Sequence, residues 1–351
     1  MFRAGRSRRR GGIMNNLDAS ELNMGGMTAN AAGVGGTGAG GAADAGHAGV
    51  GNAGVGHADV SLATNTAGSA RPTILDVRDL NVTIGGHAVL KRVSLHVDAG
   101  ERVGMIGASG SGKSMLVKAV TGLLPRTARV DGSLNIGGKR VDTMDDAELA
   151  DLRGRYVGLV FQNPGAALNP VLTVEQQVCL PLRLHYDLDA DERHDRAMTM
   201  LERVGLPGRL AGAYPHELSG GQQQRVGIAT ALITSPRLII ADEPTTALDA
   251  IVQRSIIDLL VSLVESAGAS MLFITHDFAV LSRATTRCVV IDGGRVVETG
   301  GTEELLRNPG EPATCALVRA AKLLTLDTGV GAGVDMDGTA RMDTNRERQH
   351  G

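Results

Sequence analysis

The apolar positions of the chain form short runs that predict strands and helices from about Pro72 onward. Between Ile74 and Ile84 they recur at mostly even spacing, and Gly85-Gly86 follows, a pattern typical of a strand and a turn. Similar runs predict strands at residues 90–97, 103–106 and 156–161, a hairpin at 134–141 and a helix at 113–124. A strand, a glycine-rich loop and a helix therefore follow one another in this half of the chain.

In the second half of the chain, strand-like and helix-like apolar patterns alternate more regularly. Strands are predicted at residues 238–241, 271–275 and 288–291, with helices at 250–265 and 277–284. Such alternation favours a parallel sheet covered by helices. The stretch 165–236 is polar with helical periodicity, so it is predicted to form an inserted helical lobe. We expect an α/β domain with a mostly parallel sheet, an N-terminal antiparallel β subdomain and an inserted α-helical subdomain.

Both ends of the chain differ in composition from this middle part. Residues 1–70 are mainly Gly, Ala, Asn and Thr, which bury too little apolar surface to offset the entropy of ordering, so a disordered tail is expected. Met14, Met24 and Met27 leave open a later start of translation. Residues 326–351 are again rich in Gly, Asp, Thr and charge, which is typical of a flexible tail. The folded domain is expected to span 71–325.

Composition excludes several classes of function. The 35 Lys and Arg against 38 Asp and Glu give a formal net charge of -3, and aromatic residues make up 2% of the chain, which argues against a nucleic-acid partner. The three cysteines have neither zinc-ligand nor disulfide spacing, and a reducing compartment fits them. The apolar runs are far shorter than the roughly 20 residues that cross a bilayer, so no membrane span is expected.

A glycine-rich loop separates the predicted strand at 103–106 from the helix that follows. It matches the pattern G-x-x-x-x-G-K-[ST] and reads Gly107-Ala108-Ser109-Gly110-Ser111-Gly112-Lys113-Ser114. Glycines let backbone N–H groups turn toward phosphate oxygens, and the helix N-terminus adds favourable partial charge. Lys113 is expected to reach the β- and γ-phosphates of ATP, and Ser114 is expected to ligate Mg²⁺.

Two acidic residues end the apolar strand predicted at 238–241. Asp242 is expected to hold Mg²⁺ through water, and Glu243 is expected to orient or deprotonate the water that attacks the γ-phosphate. A strand that ends in Asp-Glu is a weak signal on its own. It gains weight here because a phosphate loop precedes it in the same chain.

The most specific motif of the sequence reads Leu218-Ser219-Gly220-Gly221-Gln222-Gln223-Gln224-Arg225. It resembles the signature motif of the ABC ATPases, and the resemblance extends over about residues 72–324. It implies a P-loop NTPase with a RecA-like core. It also implies that this helix N-terminus binds the γ-phosphate of ATP held by the opposite subunit, so that ATP joins two subunits head to tail. The residues expected to make that contact are Ser219, Gly220, Gly221 and Gln222.

Other landmarks of this family occur in order along the chain. The resemblance implies that Gln162 senses the γ-phosphate and the metal, that Asp249 communicates across the dimer, and that His276 contacts the γ-phosphate. The expected catalytic residues are then Glu243, His276 and Gln162. The expected Mg²⁺ ligands are Ser114, Asp242 and Gln162. The other histidines, His216 among them, receive no catalytic role.

One position departs from the pattern of many relatives, in which an aromatic ring near the end of the first strand stacks on adenine. The aligned residue here is Ile84. Stacking of a ring on a base contributes roughly 1–3 kcal/mol in nucleic-acid complexes. We therefore expect Ile84 to contact the base without stacking, and ATP to bind more weakly than in a relative with an aromatic residue.

The branch of the family is indicated by Gln162-Asn163-Pro164 and Ala167-Leu168-Asn169-Pro170, which resemble the ATPases of dipeptide, oligopeptide and nickel importers. Those relatives usually carry a C-terminal His-Pro-Tyr-Thr element. The corresponding run here is Glu311-Pro312-Ala313-Thr314, which keeps only Pro and Thr. Uptake of peptides or nickel is the favoured function, and uptake of another small solute stays open.

The resemblance implies an ATP-hydrolysing translocase subunit on the cytoplasmic face of the cell membrane. Its implied partners are two transmembrane permease subunits, a second ATP-binding subunit that is identical or related, and indirectly an extracytoplasmic solute-binding protein. A soluble ABC ATPase of DNA repair, chromosome maintenance or translation is the alternative. The sequence between Ser114 and Leu218 has no long heptad pattern, zinc module or second nucleotide-binding half to favour it. A regulatory subunit without turnover is disfavoured because Glu243 and His276 are both present.

Overall fold

The computed structural model describes residues 71–245 and 248–327, with side chains up to Lys322. Its strands are β1 (Thr73–Ile84), β2 (His87–Asp98), β3 (Arg102–Ile106), β4 (Arg129–Ile136), β5 (Lys139–Arg140), β6 (Val157–Val160), β7 (Leu238–Asp242), β8 (Ser270–Thr275), β9 (Arg287–Asp292) and β10 (Arg295–Gly301). Its helices are α1 (Lys113–Val120), α2 (Asp146–Arg155), α3 (Pro164–Ala167), α4 (Val174–His185), α5 (Ala190–Arg203), α6 (Gly220–Leu232), α7 (Ala250–Ser266), α8 (Phe278–Ala284), α9 (Thr302–Arg307) and α10 (Pro312–Asp327). Short 3₁₀ turns occur at Val141–Thr143, Gly208–Leu210 and Pro215–Glu217.

The strands form two sheets. The first is antiparallel, with the order β2-β1-β4-β5, and the second has the order β10-β9-β3-β8-β7-β6. Within the second sheet only the β9–β10 pair is antiparallel. The expected mostly parallel core sheet and N-terminal antiparallel subdomain are confirmed.

The core sheet is buried on both faces because its strands carry apolar residues at successive positions. In β7, Leu238 and Ile240 pack into the cluster below the antiparallel sheet, whereas Ile239 and Ala241 pack against the helices on the other side. The strands β3 and β8 divide their residues in the same way. Such near-continuous apolar runs are typical of a parallel sheet that is covered on both faces.

The connection between β6 and β7 is mainly helical. The elements α3 to α6 lie there, together with two of the 3₁₀ turns, and the predicted range 165–236 falls between Val160 and Leu238. The helix α6 begins with the signature residues and packs against α3, α4 and β6. The insert therefore places the signature helix beside the carboxyl end of β6.

Several local predictions differ from the structure. The helix predicted at 113–124 ends at Val120, because Gly122 adopts a φ of 66° and Leu123 N–H bonds the Lys118 carbonyl at 2.7 Å, which closes the last turn. The elements β10, α2, α9 and α10 were not predicted from the sequence. The helix α10 continues to Asp327, beyond the predicted start of the C-terminal tail at 326. The tail predicted at 1–70 and the rest of the C-terminal one lie outside the described residues.

The helices of the described part of the chain include none with the length and apolar character that a membrane span requires.

Candidate functional site

The phosphate loop runs from the end of β3 to the start of α1. Gly110 and Gly112 have φ values of 78° and 110°, which favour glycine, and a Cβ at Gly107 would overlap the Ile291 carbonyl oxygen of β9. Gly112 caps α1 without any side-chain hydrogen bond to the first turn. The amides of that turn therefore face the loop and are available to an anion.

Lys113 is folded back onto this loop. Its Nζ donates to the carbonyl oxygens of Gly107 at 2.7 Å and Ala108 at 3.0 Å, and the residue is only 6% exposed. Burial lowers the pKa of Lys113, against the opposing effect of the nearby Glu243 and Asp242 carboxylates. The buried Ser111 Oγ has no hydrogen-bond partner among the described residues. A buried ammonium group, an unpaired hydroxyl and free amides fit a polyphosphate.

Asp242 and Ser114 face each other across the loop. The Ser114 hydroxyl lies close enough to the Asp242 carboxylate to lower its pKa. Burial raises the pKa of Asp242, and the neighbouring Glu243 raises it further, while Lys113 and Ser114 act in the opposite direction. A divalent cation beside these oxygens would offset both the burial of the Asp242 charge and its repulsion by Glu243, since hard cations bind hydroxyl and carboxylate oxygens. The pair fits Mg²⁺.

The three predicted catalytic residues lie together. Gln162 Nε2 donates to Glu243 Oε2 at 2.9 Å, and His276 Nδ1 lies 3.2 Å from Glu243 Oε1. Gln162 follows β6, Glu243 follows β7 and His276 follows β8, so all three project from the carboxyl ends of adjacent parallel strands. The Glu243 carboxylate, with a side chain 17% exposed, is thus held from both sides.

The backbone at Glu243 is strained. Its φ is 45°, in the left-handed region that non-glycine residues rarely adopt, and its N–H bonds the Ile274 carbonyl of β8 at 2.9 Å. Such strain costs about 1–3 kcal/mol and persists where the surrounding structure enforces it. The turn directs the Glu243 side chain toward Gln162 and His276.

The four signature residues form the start of α6. Ser219 Oγ accepts from Gln222 N at 3.3 Å and Gln222 Oε1 accepts from Ser219 N at 2.9 Å, so the two residues form a capping box. Gly220 and Gly221 lie against Leu248 and Val252, at the start of α7, where a Cβ on Gly221 would be 2.9 Å from Val252. In the described residues, the signature residues therefore contact α6 and the start of α7 and not the phosphate loop.

Asp249 and Ile84 have local roles in the described residues. Asp249 caps α7, with Oδ1 accepting from Ile251 N at 3.1 Å and Val252 N at 3.0 Å. Ile84 ends β1, directly opposite His87 across the Gly85-Gly86 turn, and is partly buried in the cluster below the antiparallel sheet. Their predicted contacts across a dimer and with adenine remain predictions.

The turn that carries His276 is held by Asp277, for which no role was predicted from the sequence. Asp277 caps α8, with Oδ1 accepting from Ala279 N at 2.8 Å, and its own N–H bonds Thr275 Oγ1 at 3.1 Å. These contacts fix the turn that carries His276 between β8 and α8. An aspartate directly before a helical pattern is the signal that could have identified it.

Comparisons with known proteins agree with this geometry. Residues 90–246 match the family model described as ABC transporter. A putative peptide import ATP-binding protein of Brucella melitensis is 42% identical over 264 residues, which cover 72% of this chain and 78% of the relative. The oligopeptide transport ATP-binding protein OppD of Bacillus subtilis is 37% identical over 263 residues, 73% of each chain.

Among solved structures, a dimeric post-hydrolysis state of the ATP-binding cassette MJ0796 with ADP and Pi is similar. It has a TM-score of 0.59 and 35% sequence identity, and the match covers 65% of this chain and 98% of that one. Fold, motif order and relatives therefore agree that the chain belongs to the ABC transporter ATP-binding family and is a nucleotide-binding ATPase.

Proposed function

We propose that the chain is the ATP-hydrolysing subunit of an ABC importer that takes up peptides. The observation that carries the catalytic part is the contact of Gln162 and His276 with the Glu243 carboxylate, beside Asp242 and Lys113. The substrate class is supported by two relatives described as peptide import and oligopeptide transport proteins. The alternative of a soluble ATPase in DNA repair or translation finds no support among these relatives.

ATP with Mg²⁺, when bound, supplies the γ-phosphoryl group and its leaving group. In the proposed mechanism Lys113 exchanges the Gly107 and Ala108 carbonyls for phosphate oxygens. Ser114 and Asp242 would hold the metal, with Gln162 as the third group near it. Glu243 would accept a proton from the attacking water, whose oxygen would form a bond to the γ-phosphorus as the bond to the leaving ADP breaks. His276 would hold the γ-phosphate. The contacts with Gln162 and His276 would hold the Glu243 carboxylate in place for this step.

The second half of the proposed mechanism requires another ATPase subunit. Ser219, Gly220, Gly221 and Gln222 would bind the γ-phosphate of the opposing subunit's ATP through the first turn of α6. The cassette MJ0796 was solved as a dimer with ADP and Pi, which supports this arrangement. The partner subunit is either a second copy or a related ATPase.

The remaining proposed partners are two transmembrane permeases, with a solute-binding protein acting outside the membrane. The chain would then sit on the cytoplasmic face of the membrane as a peripheral subunit. Closure of the ATPase dimer would push on the permeases, and hydrolysis would reopen it. Residues 71–325 would form this motor.

The proposal is tested by purifying the tagged full-length chain from gently solubilised membranes of its own host and identifying its partners by mass spectrometry. We expect two hydrophobic permeases, and the isolated complex should show ATP hydrolysis that rises with peptide and its binding protein. A soluble pool bound to repair or ribosomal proteins would refute the import function. Stimulation by nickel or another solute in place of peptides would refute the substrate class alone.

A further inference from the structure

Gln224 lies on the signature helix α6 and is buried without a partner for its side-chain amide. The residue is 1% exposed, and its Nε2 has no hydrogen-bond acceptor among the residues that the structure describes. Nε2 is itself inaccessible to solvent, so bulk water does not replace the missing acceptor. A buried amide N–H without an acceptor is unfavourable, and an arrangement that supplies one is favoured over it.

Gln224 is one of the residues that line a cavity of about 340 Å³. One wall is the segment 162–165, which begins with the predicted γ-phosphate sensor Gln162, and another is α6 with Gly220, Gln223 and Gln224. In the segment 162–165, the Asn163 and Pro164 carbonyls and the Asn163 side-chain oxygen already accept from N–H groups of residues 166–168. The acceptors that remain for Gln224 are the carbonyls of Gln162 and Gly165 and the side-chain oxygen of Gln162.

The neighbouring Gln223 shows that the two walls already touch at one point. Its Nε2 donates to the carbonyls of Pro215 at 2.8 Å and Leu218 at 3.3 Å, within the helical insert. Its Oε1 packs so closely on Gly165 that a Cβ there would lie at 2.9 Å. A small rotation of α6 about this contact would narrow the cavity at Gln224.

We propose that Gln224 is a positioning residue that couples the Gln162 segment to the signature helix. When the cavity narrows, Gln224 Nε2 donates to a carbonyl of the segment 162–165, and this bond stabilises the arrangement in which the signature helix meets the opposing ATP. The inference rests on the proposed function, because it requires that Gln162 and α6 serve two different nucleotides. The hydrogen bond of Gln224 would couple the nucleotide site beside Gln162 to the nucleotide site at the signature helix.

The test compares Gln224→Met with the matched control Gln177→Met. Gln177 is also buried, at 5% exposure, but both its Oε1 and its Nε2 have partners, with Oε1 accepting from Asn169 N at 2.8 Å and Nε2 donating to Leu172 O at 3.4 Å. Methionine has nearly the same length and no donor. Without nucleotide, we expect Gln177→Met to lower the melting temperature of the full chain and Gln224→Met to leave it unchanged or raise it. Equal losses in both variants would overturn the proposal, since Gln224 would then be paired already.

The second readout is retention of labelled ATP by the purified complex during gel filtration, in a Glu243→Gln background that slows hydrolysis. Loss of one hydrogen bond from the closed arrangement should raise the ATP concentration for half-maximal retention about three- to tenfold in Gln224→Met. Binding of a fluorescent ATP analogue to the separate subunit should not change. Unchanged retention in Gln224→Met, with strong retention in its parent, would refute the role of Gln224 alone. No retention in the parent would refute the proposed function and this inference together.

Discussion

At the scale of single residues, the site contains charged groups that are buried, a strained backbone and an unpaired hydroxyl. A bound nucleotide would reduce the energetic cost of these features. Lys113 is buried and its pKa is lowered, chiefly by that burial, while burial raises the pKa of Asp242. Glu243 has a strained backbone and Ser111 Oγ has no partner among the described residues. Perturbed groups of this kind cluster at functional sites. Together they indicate a site prepared for a charged ligand.

Ile84→Tyr tests the contact with adenine. A ring at this position, beside the Gly85-Gly86 turn, should stack on the base and tighten ATP binding by about 1–3 kcal/mol. Titration calorimetry of the full-length protein measures the change, with Ile84→Leu as the control that alters shape without adding a ring. If the tyrosine variant binds ATP no more tightly than the leucine variant, Ile84 does not lie against the base.

The motifs that bind nucleotide could be predicted from the sequence because their chemistry requires particular residues at fixed spacing. The strand end indicated Glu243 in this way, whereas Gln162 and His276 were expected from the family resemblance; the structure places the three together, although more than 110 positions separate the ends of the cluster. The capping box of Gln222 and the unpaired amide of Gln224 did not follow from it. Their state depends on which residues pack beside them, and no local pattern encodes that.

At the scale of elements, one ion pair fastens the antiparallel sheet to the core sheet. Arg287 at the start of β9 donates to both carboxylate oxygens of Glu101, at 2.6 and 2.9 Å, and to the His96 carbonyl of β2 at 2.7 Å. Glu101 also accepts from Asp98 N at 3.0 Å. Burial raises the pKa of Glu101, but the hydrogen bonds from Arg287 and Asp98 outweigh it, and the net effect lowers the pKa.

Arg287→Met should therefore destabilise the protein at neutral pH by about 2 kcal/mol, a typical loss for hydrogen bonds to a charged group. Because the folded-state pKa of Glu101 is lowered, its contribution is present above the pKa of the unfolded chain and disappears as pH falls through the folded-state value. The difference between wild type and variant should shrink in acid. Denaturant unfolding at neutral and acidic pH measures both effects.

The control is Arg307→Met, which removes an exposed pair with Glu303 on α9, where both side chains are at least 75% exposed. Exposed pairs of this kind contribute little, so the stability should hardly change at any pH. A loss in Arg287→Met that does not vary with pH would contradict the role of the Glu101 charge.

Elements with strong periodicity, such as β1, β7 and α7, were predicted closely, whereas β10 and α9 were missed. The strand β10 is only seven residues long and ends in Gly300-Gly301, so it depends on pairing with β9. The helix α9 has six residues and packs on β9, β10 and α8. Short elements like these are stabilised by tertiary contacts that single-sequence patterns do not contain.

At the scale of the whole molecule, the fold places the two surfaces proposed to bind nucleotide on separate elements of one chain. The phosphate loop and Glu243 lie at the carboxyl edge of the core sheet, while the signature residues start a helix of the insert. A single chain that carries both surfaces on separate elements suits head-to-tail pairing, because each surface can serve the nucleotide of a neighbour. The proposed coupling through Gln224 would link the two surfaces within one subunit.

The measurement that tests this account most directly compares ATP hydrolysis and ATP retention in complexes with wild-type protein and with Glu243→Gln. We expect the variant to retain labelled ATP through gel filtration and to release phosphate roughly 10²–10⁴-fold more slowly, because a general base is lost while the phosphate loop stays intact. Lys113→Ala serves as the control and should retain no ATP. Phosphate release by Glu243→Gln at the wild-type rate would contradict the catalytic role of Glu243 and the mechanism built on it.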